Sequence, residues 1–131
     1  MKLGLLGGMF DPIHIGHLRA AEIVRESLAL DEVVFMPAGA PPHRGQPEAS
    51  GMDRYAMVAL ATAGERAFLP SDLELRRDGV SYTVDTVAAL KESRPDADVV
   101  LIVGSDNLPM IAEWRDPERL LEMCTVAVVA R

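Results

Sequence analysis

Two of the chain's three histidines, His14 and His17, stand three residues apart behind the run Gly7-Gly8-Met9-Phe10-Asp11-Pro12. Residues at i and i+3 share one side of a helix, so both imidazoles can serve one ligand if a helix starts there. Imidazoles so placed can donate hydrogen bonds to phosphate oxygens, and a bound phosphate would favour their protonation. A helix start adds unpaired backbone N–H groups and the positive end of the helix dipole. Gly7 and Gly8 let the backbone turn sharply and come close to a ligand, and Gly16 leaves room for a large group at the same turn. Together these groups can stabilise charge in phosphoryl or nucleotidyl transfer. An isolated His-x-x-His is most often two unrelated surface residues; here the paired glycines and the Phe-Asp-Pro run precede it. Zinc would need more ligands than these two residues and His43. The lone Cys124 supplies neither an intramolecular disulfide nor a multi-cysteine metal site. The glycines form neither Gly-x-Gly-x-x-Gly nor a P-loop, because no Gly-Lys-Ser/Thr follows.

The surrounding pattern supplies elements able to hold such a site. Leu3 to Leu6 reads as a buried strand closed by Gly7-Gly8, and Ile15 to Leu28 as a helix with Leu18, Ala21, Val24, Arg25 and Leu28 at inward spacing. Glu32 to Met36 is a second strand stopped by Pro37, and residues 38–51, rich in Pro and Gly, form a loop. Arg54 to Thr62 is a short helix, Phe68 to Leu75 is extended, and Asp78-Gly79 is a turn. A helix runs from Thr83 through Leu90, then Val99 to Val103 forms a strand apolar on both faces. Pro117 to Met123 is helical and Thr125 to Ala130 is the last strand. Strands alternating with helices predict one α/β domain over residues 1–131, a doubly wound parallel sheet. Ligands of such sheets bind at the carboxyl ends of strands where the strand order reverses. Gly104 and Asp106, leaving the Val99 strand, should then face Gly7 and Gly8. The final strand has no following helix to cover it, which predicts poor solubility or association, a homo-oligomer being one form of it.

Composition narrows the partners. Hydrophobic residues make up 49% of the chain and charged residues 25%, with a net charge of -7. That balance argues against broad nucleic-acid binding but leaves room for a local anion site. A signal peptide is missing from the pattern, and no apolar run nears the roughly 20 residues that span a bilayer. The expectation is a cytoplasmic protein without a membrane or nucleic-acid partner.

Further stretches carry polar groups that chemistry can use. Met36 to Arg44 is a Pro-rich loop bearing His43 and Arg44. Gly79-Val80-Ser81-Tyr82-Thr83-Val84-Asp85-Thr86 reads on its own as a turn and a helix cap. Asp106 of Gly104-Ser105-Asp106-Asn107-Leu108 can hold a ribose hydroxyl or orient a magnesium shell, and direct metal ligands stay unassigned. Trp114 is the single tryptophan.

The segment from Gly7 to His17 resembles the signature of the nucleotidyltransferase superfamily that uses a His-x-Gly-His motif. Pro41-Pro42-His43-Arg44, Ser81 to Thr86 and Trp114 extend the resemblance, nearly end to end, to the nicotinate-nucleotide adenylyltransferases. The resemblance implies a Rossmann-like nucleotidyltransferase fold, ATP and nicotinate mononucleotide as substrates, and Mg2+ with the ATP. It also implies that His14 and His17 bind the ATP phosphates and stabilise the transition state, within a substrate site that includes Gly7, Gly8, Met9 and Phe10. His43 and Arg44 would lie near the departing pyrophosphate, and the helix start at Thr83 would grip the nicotinate carboxylate. Trp114 would stack on the pyridine ring, with Gly104 and Asp106 completing the substrate site. Met9 stands where the family usually has Thr or Ser, and Arg44 where it has Lys. The family's second signature, Ile-Ser-Ser-Thr-x-x-Arg, does not occur in these residues. The expectation is therefore a domain without the C-terminal ATP-binding segment. A phosphopantetheine adenylyltransferase, a truncated and inactive nucleotide-binding domain, and a flavodoxin-like interaction domain are the alternatives.

Overall fold

The computed structural model describes residues 1–39 and 48–130. Five strands, β1 (Lys2–Gly8), β2 (Glu32–Pro37), β3 (Phe68–Pro70), β4 (Asp98–Gly104) and β5 (Thr125–Val129), form one parallel sheet in the order β3-β2-β1-β4-β5. Five α-helices connect them: α1 (Ile15–Leu28), α2 (Gly51–Thr62), α3 (Leu73–Arg76), α4 (Thr83–Ser93) and α5 (Pro117–Met123). A 3-10 helix spans Leu108–Glu113. The order reverses at β1, so β2 and β4 flank it and a crevice opens beyond the carboxyl ends of β1 and β4. This is the doubly wound sheet that the alternating pattern predicts.

Period-two alternation sorts the strand residues into two cores, one on each face of the sheet. Leu3, Leu5, Val34, Met36, Val99, Leu101 and Val103 pack with Val84, Val87 and Leu90 of α4 and Leu120 of α5. Val33, Phe35, Val100 and Ile102 pack with Ala21 and Val24 of α1 and Val58 of α2. Burying each such side chain contributes about 1.5–3 kcal/mol, so these two layers are the main stabilising term. Gly4 belongs to the second face. A Cβ there would lie 2.9 Å from Leu30 Cδ1 and 3.3 Å from Ile102 Cδ1, so the missing side chain is what lets α1's trailing Leu30 seat on β1.

Several local expectations change. Leu28, expected on the inward stripe of α1, is exposed, since α1 leaves the sheet through Ala29 in the left-handed region. Residues Phe68 to Leu75 are not one extended run: β3 ends at Pro70, and the Ser71 hydroxyl accepts from the Leu73 N–H as α3 begins. The second helix starts at Gly51 rather than Arg54, because Ser50 caps it by accepting from the Asp53 N–H at 3.1 Å. The α4 helix runs on to Ser93, and Lys91 Nζ reaches the Met123 carbonyl at 2.8 Å, tying α4 to the end of α5. No helix among the described residues is long and apolar enough to cross a membrane.

Candidate functional site

The loop from Gly8 to the start of α1 is built to aim His14 and His17. His14 is the N-cap of α1, and its Nδ1 accepts from the Gly16 N–H at 3.1 Å. His17 folds back so that its Nδ1 accepts from the His14 N–H at 3.0 Å. The pair is a capping box made of imidazoles. With Nδ1 used as an acceptor in each ring, the neutral tautomer carries its proton on Nε2. Both residues can thus donate from Nε2 even as neutral rings. The two rings stack with centroids 3.8 Å apart, and Phe10 meets His17 edge-on at 4.9 Å.

Gly16 has a different purpose from the one expected. A Cβ at this position would stand 2.9 Å from both Cε1 and Nδ1 of His14. The space is taken by the cap histidine itself, so Gly16 makes room for the neighbouring imidazole rather than for a ligand. Phe10 also differs: it is 2% exposed, has φ of 49° and packs in the α1-side core. Its side chain buttresses His17 while its backbone borders the cavity.

Two residues that sequence reasoning passed over hold this loop. Arg54 of α2 is 2% exposed. Its Nη1 donates to the Met9 carbonyl at 2.9 Å and the Ala38 carbonyl at 2.8 Å, and its Nε to Ala49 at 3.2 Å. One buried guanidinium thereby joins the loop that follows β1 to both described ends of the Pro-rich segment. Asp11 adds to this, accepting from the N–H groups of Glu48 at 2.7 Å and Ala49 at 3.0 Å. Arg54 shares a helical stripe with the buried Val58 and Thr62, which was the available signal.

The crevice at the carboxyl ends of β1 and β4 is a cavity of about 970 Å³. Gly7, Gly8, Met9, Phe10, His14, His17, Thr83, Gly104 and Trp114 all line it, so nine of the sequence-predicted residues converge. Asp106 does not line it; it is exposed, and the neighbouring Asn107 takes the lining position. The chain turns out of β4 at Gly104, where the Asn107 N–H bonds the Gly104 carbonyl at 3.0 Å, and this turn is what exchanges the two side chains. His43 and Arg44 lie outside the described residues.

On the far wall, α4 presents its first turn. Tyr82 is its N-cap but makes no side-chain cap, and the buried Ser81 hydroxyl has no hydrogen-bond partner among the described residues. Glu74 of α3 lies behind this turn and accepts from the Thr86 hydroxyl at 2.8 Å. Burial pushes the Glu74 carboxyl above the usual range, opposed by the Thr86 hydroxyl, the Gly39 N–H and Arg77. Gly39 is obligatory here, since a Cβ would sit 2.5 Å from the Glu74 carbonyl oxygen. Cys124, at the end of α5, has its Sγ 3.3 Å from the Leu120 carbonyl, and burial pushes its thiol pKa up, as suits an inert packing residue.

A doubly wound sheet with glycines, a histidine-capped helix and a second open helix start at its switch point defines a nucleotide-binding α/β domain. The chain belongs to the cytidylyltransferase-like family, whose model matches residues 5–131. A protein of Geobacter sulfurreducens named "Probable nicotinate-nucleotide adenylyltransferase" is 48% identical over all of this chain and 61% of its own length. One of the same name from Acidithiobacillus ferrooxidans is 43% identical, covering 98% of this chain and 59% of that one. The chain thus spans about three fifths of the length of these curated relatives. A solved structure of Plasmodium falciparum nicotinic acid mononucleotide adenylyltransferase complexed with NaAD shares the fold at TM-score 0.75 and 18% identity, covering 99% of this chain and 75% of that one.

Proposed function

We propose that this domain transfers the adenylyl group of ATP to nicotinate mononucleotide, giving nicotinate adenine dinucleotide and pyrophosphate. The observation that carries the reading is the histidine capping box at the end of β1, which shares one cavity with the start of α4 and Trp114. The names of the similar proteins support the choice of substrate.

In this reading a 5′-phosphate oxygen of the mononucleotide attacks the α-phosphorus of ATP. A new P–O bond forms as the bond to the β,γ-pyrophosphate breaks, with no covalent enzyme intermediate. His14 and His17 are the catalytic residues, donating from Nε2 to phosphate oxygens as charge shifts toward the leaving group. The backbone of Gly7, Gly8, Met9 and Phe10 and the α1 N-terminus hold the phosphates close. His43 and Arg44 take the pyrophosphate side, as the family resemblance implies. Thr83 and the N–H groups of α4 receive the nicotinate carboxylate, and Trp114 stacks on the pyridine. Gly104 borders the cavity at the end of β4, where the neighbouring Asn107 rather than Asp106 faces the ligand.

Magnesium enters as part of the substrate, MgATP. The described carboxylates of the cavity do not fit a resident metal: Asp11 is engaged by two backbone N–H groups and Glu74 by the Thr86 hydroxyl. Magnesium commonly binds through phosphate oxygens and water with few protein ligands, which suits this donor set. The reading assigns the protein to the cytoplasm, where ATP is held.

The test is pyrophosphate release with MgATP and nicotinate mononucleotide, run beside nicotinamide mononucleotide and phosphopantetheine. Release with nicotinate mononucleotide, abolished in His14→Ala and His17→Ala variants that still fold, supports the reading. Release with phosphopantetheine alone, or full turnover in both variants, sinks it.

A further inference from the structure

Arg115 follows Trp114 on the cavity wall and was not part of the site expected from sequence. Its guanidinium carbon lies 4.7 Å from the centroid of the Tyr82 ring, so it is stacked over the residue that caps α4. It is the one Arg or Lys among the described residues that line the cavity. The ion pairs found among the described residues are Arg19–Glu22, Arg76–Asp72 and Arg94–Glu32, and none involves it. Among the described residues, its charge is therefore held in place by an aromatic face and is in no carboxylate ion pair.

We propose that the Arg115 side chain is a specificity-determining group, selecting a mononucleotide whose pyridine ring carries a carboxylate over one that carries an amide. The inference rests on the mononucleotide reading above. Two observations point to an anion at this end of the cavity. The first turn of α4 opens onto it without a side-chain cap. Beside that turn, the Ser81 hydroxyl is buried, lines the cavity and has no hydrogen-bond partner among the described residues. An anion there meets backbone N–H groups, a hydroxyl and a guanidinium.

The same charge also works against the wrong ligand. Both mononucleotides carry a positively charged pyridine ring, which a nearby guanidinium repels. Only the acid brings a carboxylate that offsets this repulsion, so the selectivity has an attractive and a repulsive part. The other charges on the wall do not serve this purpose: Asp11 is tied to Glu48 and Ala49, Glu74 to Thr86, and the histidines sit on α1.

Arg115 is exposed and lies outside both cores, so its substitution leaves the fold intact. The experiment is calorimetric titration of the chain and of its Arg115→Ala and Arg115→Lys variants with nicotinate and nicotinamide mononucleotides. The expected result is an affinity for the acid about tenfold weaker in Arg115→Ala, with the amide unchanged or tighter. Arg115→Lys should keep part of the preference, because the charge stays while the planar stacking is lost. Equal weakening toward both ligands would assign the guanidinium to their shared phosphate, and no change in either would make the stacking on Tyr82 its whole role. Either outcome overturns this inference alone. Failure of the unsubstituted chain to bind either mononucleotide overturns the mononucleotide reading and this inference with it.

Discussion

If the histidine cap works as proposed, Gly16→Ala separates its geometry in catalysis from its contribution to stability. The new Cβ would stand 2.9 Å from His14 Nδ1 and Cε1, whereas ordinary contacts begin near 3.4 Å. The ring must move by about 0.5 Å, since the backbone beneath it is held by α1. The stability terms nearly cancel. Alanine in place of glycine in a helix gains about 0.5–1 kcal/mol, and losing the 3.1 Å bond from the Gly16 N–H to the cap costs about 1 kcal/mol. Thermal denaturation should therefore stay within about 4 °C of the unsubstituted chain. Turnover should not. A misplacement of about 1 Å can cost roughly a hundredfold, so half that distance predicts a loss of about tenfold in pyrophosphate release. Nitrogen NMR of the imidazoles provides a readout independent of activity: both rings should report Nε2–H, and His14 should lose that single tautomer in the variant. Full turnover with an unchanged His14 spectrum would refute the argument that glycine is needed for the imidazole. A loss of turnover that merely tracked unfolding would refute it as well.

Two further perturbations probe the scaffold of the site. Arg54→Met leaves the Met9, Ala38 and Ala49 carbonyls without their donor, which should destabilise the domain by about 3 kcal/mol. Calorimetry should show a melting point lower by about 10 °C, and a change under about 2 °C would deny Arg54 its clamping role. Glu74→Gln tests a pH dependence. Burial raises the folded-state pKa of Glu74 above the usual carboxylate range. The folded chain then binds this proton more tightly than the unfolded chain does. Stability from this group is complete below the unfolded pKa and falls as pH rises toward the folded one. Urea midpoints of the Gln variant should accordingly gain on those of the unsubstituted chain as pH climbs above the unfolded pKa, and a constant difference would show that burial does not govern Glu74.

Much of the architecture was legible because it rests on local pattern. The run Val99 to Val103 is apolar at every position, and only a strand covered on both sides satisfies that. The first helix announces itself by glycines before it and apolar residues at helical spacing within it. Boundaries were less legible where a single hydrogen bond decides them, as at Ser50, whose hydroxyl starts α2 three residues earlier than its apolar residues suggest. Short pieces such as α3 and the 3-10 helix at Leu108–Glu113 are too brief to show a period.

What the sequence by itself determined was the kind of chemistry: paired imidazoles at a helix start, a second helix start and one tryptophan, all carried by elements whose order implies a common crevice. Tertiary structure decided how those groups are held and which neighbours join them. Gly16 is two positions from His14 in the chain, yet only the folded cap shows that its missing Cβ houses the imidazole. Arg54 is 45 positions from Met9, and Asp11 is 37 from Glu48. Long-range contacts of that kind depend on how whole elements dock, and docking is set by the sum of core packing on both faces of the sheet. Arg115 makes the same point at the substrate end: an arginine after a tryptophan carries no periodic signal, and the fold alone brings it over Tyr82 and onto the cavity wall.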